Sequence, residues 1–144
     1  ERVRGPGSPM QLERLRLFGE QLALSWAVTA GDVIYVAGMV GMDVDFSAPE
    51  MGEVSFPDGI EAQMRQAYRN VSWLLEAVGS SLADIADQTV FFLGDPAAAR
   101  QANNVVRREV FGDHFPASAL VGVSQMFDPR CVLEMKVVAH RGAG

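Results

Sequence analysis

Glu134 is the only acidic side chain in the apolar segment VLEMKVVA, residues 132–139. Alternation along a strand puts it on one face with Val132 and Val138. A carboxylate held among apolar neighbours is a candidate general acid or base. The plainer use is an ion pair, with Lys136 or with an arginine of a second copy, since structural pairs perturb carboxylates as well. Asn104, in the segment NVVRREVFG, carries an amide that can orient a polar substrate or simply sit on a helix surface.

The other reactive residue types lack companions. His114 and His140 lie far apart, without cysteine or carboxylate at ligand spacing, so no metal is expected. Cys131 has Arg130 beside it, which could lower a thiol pKa, but a lone cysteine at a strand start reads as packing. Ser118 stands outside any G-x-S-x-G elbow. Gly38 and Gly41 form no phosphate loop; a missing side chain there admits unusual backbone angles or the close approach of another group. Asn70-Val71-Ser72 matches a glycosylation sequon but falls inside a helical pattern. No cofactor is expected.

The elements that must position these residues follow from periodicity. Leu12–Phe18 and Leu22–Val28 read as strands, with Ala30-Gly31-Asp32 turning the chain into the apolar run Val33–Ala37. Phe46–Pro57 reads as a loop holding one short strand. Asp58, with Glu61 three residues on, predicts the start of a helix whose apolar stripe is Ile60, Met64, Ala67, Tyr68, Val71, Leu75 and Val78, ended by Gly79. Thr89–Leu93 reads as a buried strand, and Asp95-Pro96 opens a second helix with Ala99, Ala102, Val106 and Val110 inward. Ala119–Met126 and Val132–Ala139 read as strands joined by a hairpin at Phe127-Asp128-Pro129-Arg130. Two helices cover one face of a sheet, and the last strand is largely apolar on both. A second copy of the chain is the economical cover.

A chain of 144 residues, 49% hydrophobic, suits one domain with one core. Residues 1–9, ERVRGPGSP, read as a cleavage-tag remnant or a disordered arm, leaving 10–144 as the domain. The formal net charge of −6 leaves no excess of Lys and Arg to meet a phosphate backbone, so no nucleic-acid partner is expected. Apolar stretches such as VIYVAGMVGM fall short of the roughly 20 residues of a membrane span. One cysteine rules out an intrachain disulfide, and no basic-then-apolar leader opens the sequence; a cytoplasmic location is expected.

Six segments, in order, resemble the YjgF/RidA family, also called reactive intermediate deaminases or L-PSP endoribonucleases: AGDVIYVAG (30–38), DGIEAQMRQAYRNV (58–71), SLADIADQTVFFLGD (81–95), NVVRREVFG (104–112), FPASALVGV (115–123) and VLEMKVVA (132–139). The resemblance implies an α+β chorismate-mutase-like fold, a mixed sheet covered on one face by two helices. It also implies a homotrimer with a central barrel, and small-molecule ligands held in clefts between subunits. In the deaminating branch the residue after Pro-Ala in the FPA segment is an arginine that grips the substrate carboxylate, a task suited to its planar fork. Here it is Ser118. The family's second-strand tyrosine corresponds to Leu24, and the glutamine after the VAG glycine to Met39. Asn104 keeps the family's helix position, and Glu134 aligns with the glutamate credited with positioning the hydrolytic water. Leu120 completes the implied substrate-contacting set. Trp26, two residues after Leu24, implies an apolar and aromatic wall, or ordinary interface packing.

Three functions are then in view. The favoured one is a RidA-like enzyme, a hydrolase or acid/base catalyst on an imine, enamine or related carbonyl-derived compound, with specificity changed by the loss of the arginine. The alternative is a binding or assembly protein of the same fold without chemistry. An endoribonuclease ranks last, because no basic patch accompanies the acidic balance.

Overall fold

The computed structural model describes residues 2–3, 20–44 and 54–144. In chain order the elements are β1 (Arg2–Val3), β2 (Ala27–Ala30), β3 (Val33–Val36), β4 (Met39–Val40), β5 (Asp43–Val44), β6 (Val54–Ser55) and α1 (Ile60–Ala77). A 3₁₀ turn (Leu82–Asp84) leads to β7 (Ile85–Phe92), followed by α2 (Pro96–Phe111), β8 (Ala117–Gly122) and β9 (Leu133–His140). The strand read over Leu12–Phe18 lies outside the described residues.

The main sheet has the order β1-β2-β3-β9-β7-β8, with β4 also pairing β9, while β5 and β6 form a separate ribbon. Among the described strands only β7 and β8 are parallel, joined through α2, so the sheet is mixed. Along β9, Leu133, Met135, Val137 and Ala139 are buried at 0–1% exposure, and α1 and α2 cover this face. The stripe of α1 supplies Met64, Ala67, Tyr68, Val71 and Leu75 to that core, and α2 supplies Ala99, Ala102 and Val106. Tyr68 and Phe111 meet edge to face at 5.5 Å and 87°, and Arg65 bridges Glu61 on its own helix to Glu109 on α2. On the other face, cross-strand rows run Val28–Tyr35–Val138–Asp87–Ala117, Lys136–Thr89–Ala119 and Glu134–Phe91–Val121. Val28, Tyr35 and Val121 there are exposed.

Several sequence expectations shift for identifiable reasons. Residues 22–26 form no strand: Ala23 turns the backbone at φ 54° and donates to Glu20 O at 3.1 Å, and β2 starts at Ala27. Helix α1 begins after Gly59, at φ 87°, with no side-chain cap; Glu61 pairs with Arg65 instead of completing a capping box with Asp58. Its end is as read: Gly79 at φ 73° donates to Glu76 O and Ser80 to Leu75 O, a Schellman closure. The Asp95-Pro96 start of α2 also stands, Asp95 accepting from Ala97 N and Ala98 N. β8 and β9 are not a hairpin. The α2 crossover lays β8 on one edge of β7, and β9 takes the other, so the 123–132 connection spans β7. Arg2–Val3, read as part of a tag or arm, pairs with β2 at the sheet edge.

Buried amides tie the connections down. Gln63 donates to Pro57 O and Arg130 O at 3.0 and 2.9 Å and accepts Val132 N at 3.0 Å. Asn70 donates to Val40 O and Met42 O at 3.0 and 2.9 Å. Gly41 lets this strand run against the α1 backbone, where an added Cβ would overlap Gln63.

Candidate functional site

Glu134 lies near the start of β9, paired with Val40 on one side and Phe91 on the other, on the face the helices leave open. It is half-buried, and its carboxylate lies over Gly38, where an added Cβ would overlap Oε1. That glycine falls at the break between β3 and β4, both of which pair with β9, so the missing side chain makes room for a carboxylate. The ion pair with Lys136 does not form: the ammonium donates to the Val36 carbonyl, and desolvation by burial draws its pKa down. Among the described residues Glu134 makes no salt bridge.

Ser118 occupies the opposite face. Its register partner on β7 is Gln88, fully buried beneath the helices. Tyr68 OH donates to Gln88 Oε1 at 2.7 Å, and Gln88 Nε2 donates to Ser118 Oγ at 3.3 Å. Burial raises the Tyr68 phenol to about 12, against the opposing effects of the Gln88 hydrogen bond and the Arg107 charge. Arg107 donates to Pro116 O at 3.1 Å, and its guanidinium and that of Arg108 each lie 5.6 Å from the Phe115 ring centroid. Among the described residues, the Arg107 Nε and the Oδ1 of Asn103, one helical turn away, are buried without a partner.

The other expected site residues are dispersed. Met39 is buried on the helix-covered face, paired with Met135, and Leu120, half-buried, shares that face with Ser118 and Val90. Leu24 is exposed in the turn before β2, while Trp26 is buried and its carbonyl accepts Ala37 N at 2.8 Å, so the two share no strand face. Asn104 points to solvent from α2, beside Arg100, Gln101 and Val105. Cys131 is fully buried, donates to Leu133 O at 2.9 Å and has its thiol pKa raised by burial, which makes it an inert packing group. A cavity of about 440 Å³ lined by Ile85, Val110, Phe111, His114 and Phe115 contains none of the expected site residues. Among the described residues no cluster of His, Cys, Asp or Glu could hold a metal, and no helix is long and apolar enough to cross a membrane.

Sequence reasoning missed Gln88. Its signal is the alternation Gln88, Val90, Phe92, which places a polar residue on a buried face; a strand begun at Thr89 hides it.

The Endoribonuclease L-PSP family model matches residues 20–141. The chain belongs to this YjgF/RidA family. A RutC family protein of Pyrococcus horikoshii is 35% identical over 118 residues, covering 81% of this chain and 86% of its own. A 2-iminobutanoate/2-iminopropanoate deaminase of Dermatophagoides farinae is 35% identical over 105 residues, covering 71% of this chain and 73% of its own. The crystal structure of a putative endoribonuclease from Thermotoga maritima matches with TM-score 0.66 at 34% identity, covering 81% of this chain and 85% of that one. The α+β architecture of two helices on a mixed sheet is the YjgF fold.

Proposed function

We propose that this YjgF/RidA protein is a small-molecule enzyme that uses Glu134 to position or deprotonate water against an imine, enamine or related carbonyl-derived compound. The observation that carries this reading is the Glu134 carboxylate over side-chain-free Gly38, on an open sheet face and without an ion-pair partner among the described residues. A general acid/base needs a carboxylate that is held in place yet still reachable. Relatives named 2-iminobutanoate/2-iminopropanoate deaminase support the substrate class, and Ser118 in place of arginine argues for a shifted specificity.

Within one chain Glu134 and Ser118 lie on opposite faces, two strands apart in the order β9-β7-β8. A cleft using both therefore draws them from different subunits of a homotrimer, whose contact would also cover Val28, Tyr35 and Val121. The test is turnover on a panel of enzymatically generated imines, wild type beside Glu134→Gln. A fall of about 10² to 10⁴ with unchanged melting temperature and mass supports the assignment. Equal turnover in the two proteins would refute it, and ligand binding without turnover in either would favour the non-catalytic reading.

A further inference from the structure

We infer that Gln88 and Tyr68 are positioning residues that set the specificity of Ser118, turning its hydroxyl into an outward, uncharged hydrogen-bond donor for a neutral carbonyl group rather than a carboxylate. The inference rests on Ser118 lining the ligand cleft proposed above, and it names the ligand class that cleft would take.

The argument starts from hydrogen-bond direction. A serine hydroxyl has one hydrogen and two acceptor lone pairs. Gln88 Nε2 donates to Ser118 Oγ from the interior, so one lone pair is filled and the hydrogen is left to point elsewhere. Gln88 is held in this orientation by Tyr68, whose hydroxyl donates to Oε1 at 2.7 Å. With the amide reversed, its NH₂ would face the phenol, and the Tyr68 hydrogen would lose that acceptor at a residue only 1% exposed. Such a loss is expensive in a buried site. The phenol stays protonated until about pH 12, so the direction of the relay holds at every working pH.

The outer end of the relay is accessible. Ser118 is exposed on β8, an edge strand of the sheet order among the described residues, while Gln88 behind it is fully buried. The position therefore offers one fixed neutral donor. A carboxylate moved there from water would lose solvation without gaining a countercharge, whereas an amide, ester or ketone oxygen needs only the single donor. Arg107 Nη2 is engaged on Pro116 O and its Nε is buried, so neither makes a hydrogen bond to Ser118.

Two probes of the same shape separate the cases: 2-oxobutanamide and 2-oxobutanoate, titrated into the full chain and followed by backbone amide chemical shifts. Wild type should bind the amide about fivefold more tightly than the acid, because the carboxylate gives up more hydration than a single neutral donor returns. Ser118→Ala should bring the ratio to about one or below, and Gln88→Met should lower it by freeing the hydroxyl to rotate. Ser118→Arg should invert the ratio in favour of the acid. A purely structural role for Gln88 would weaken both probes together and leave the ratio alone. Equal or tighter binding of the acid by wild type, or a wild-type ratio in Ser118→Ala, overturns the inference. If the probes shift Gly38 and Glu134 but not Ser118, only this inference fails. If they shift neither region, the cleft reading fails with it.

Discussion

At the scale of single residues, Gly38 and Glu134 form a unit that can be taken apart. A Cβ at Gly38 would overlap the far end of the Glu134 side chain, a flexible group, and not backbone. Gly38→Ala should therefore displace the carboxylate at a cost of less than about 1 kcal/mol in stability. Function should fall nearly as far as in Glu134→Gln, and the double variant should be no worse than either single one, because both act on one group. Thermal melts and turnover on the same samples check this, and full additivity would show that the two are independent. Tyr68 makes a pH-dependent contribution whose sign is fixed by the raised phenol, which sits at about 12 in the folded chain. The folded state holds that proton more tightly, so this stability is complete below about pH 10, the unfolded value, and is lost as pH rises toward 12. Tyr68→Phe should flatten the alkaline part of the denaturant-midpoint profile. At neutral pH it should cost about 1 to 3 kcal/mol, because Gln88 Oε1 loses its donor inside the core.

At the scale of elements, the two helices are terminated by different devices. The α2 start rests on one side chain, Asp95, which accepts from two first-turn amides. Asp95→Ala should cost about 1 kcal/mol, visible as a lowered melting temperature with turnover per folded molecule unchanged. Asp58→Ala should cost far less, since α1 starts from Gly59 without a side-chain cap. Finding the two losses equal would show that Asp58 caps in solution. These outcomes mark how far local patterns reach. The helix stripes, the Asp95-Pro96 start and the Gly79 stop are consequences of spacing within one turn, and they are as read. The expected β8–β9 hairpin is a statement about which strands become neighbours. Phe127-Asp128-Pro129-Arg130 has turn chemistry, with Asp128 accepting Arg130 N at 2.9 Å, but a turn does not choose a partner. The α2 crossover occupies the β7 edge with β8 first, and β9 is left the other edge.

At the scale of the whole molecule, the open sheet face carries exposed Val28, Tyr35 and Val121 beside the Glu134–Phe91 row. Light scattering should give about three times 15.6 kDa. Val121→Glu adds a charge to that face without touching the helix-covered core. It should shift the mass toward the single chain while leaving far-ultraviolet circular dichroism unchanged. A wild-type mass in this variant would place the contact elsewhere. Because the proposed cleft takes Glu134 and Ser118 from different copies, the dissociated variant should also lose function.

Family and fold class were legible in the chain itself, because six ordered segments and two amphipathic periods are local properties that need no coordinates. So was Glu134 as the carboxylate of the last strand, while Ser118 at the arginine position is what the resemblance implies. Their placement was not. Whether Glu134 pairs with Lys136 depended on where the ammonium goes, and it goes to a carbonyl of β3, a hundred residues away in sequence. Leu24 and Trp26 fall two apart within the strand read over Leu22–Val28, but the turn at Ala23 delays β2 to Ala27 and leaves one exposed and the other buried. Gln88 acquires its meaning only beneath α1, where Tyr68 reaches it across twenty residues of chain. Residue types and periods follow from short-range sterics and solvation, whereas the direction of a hydrogen bond and the neighbour of a strand depend on contacts that exist only once distant segments have packed.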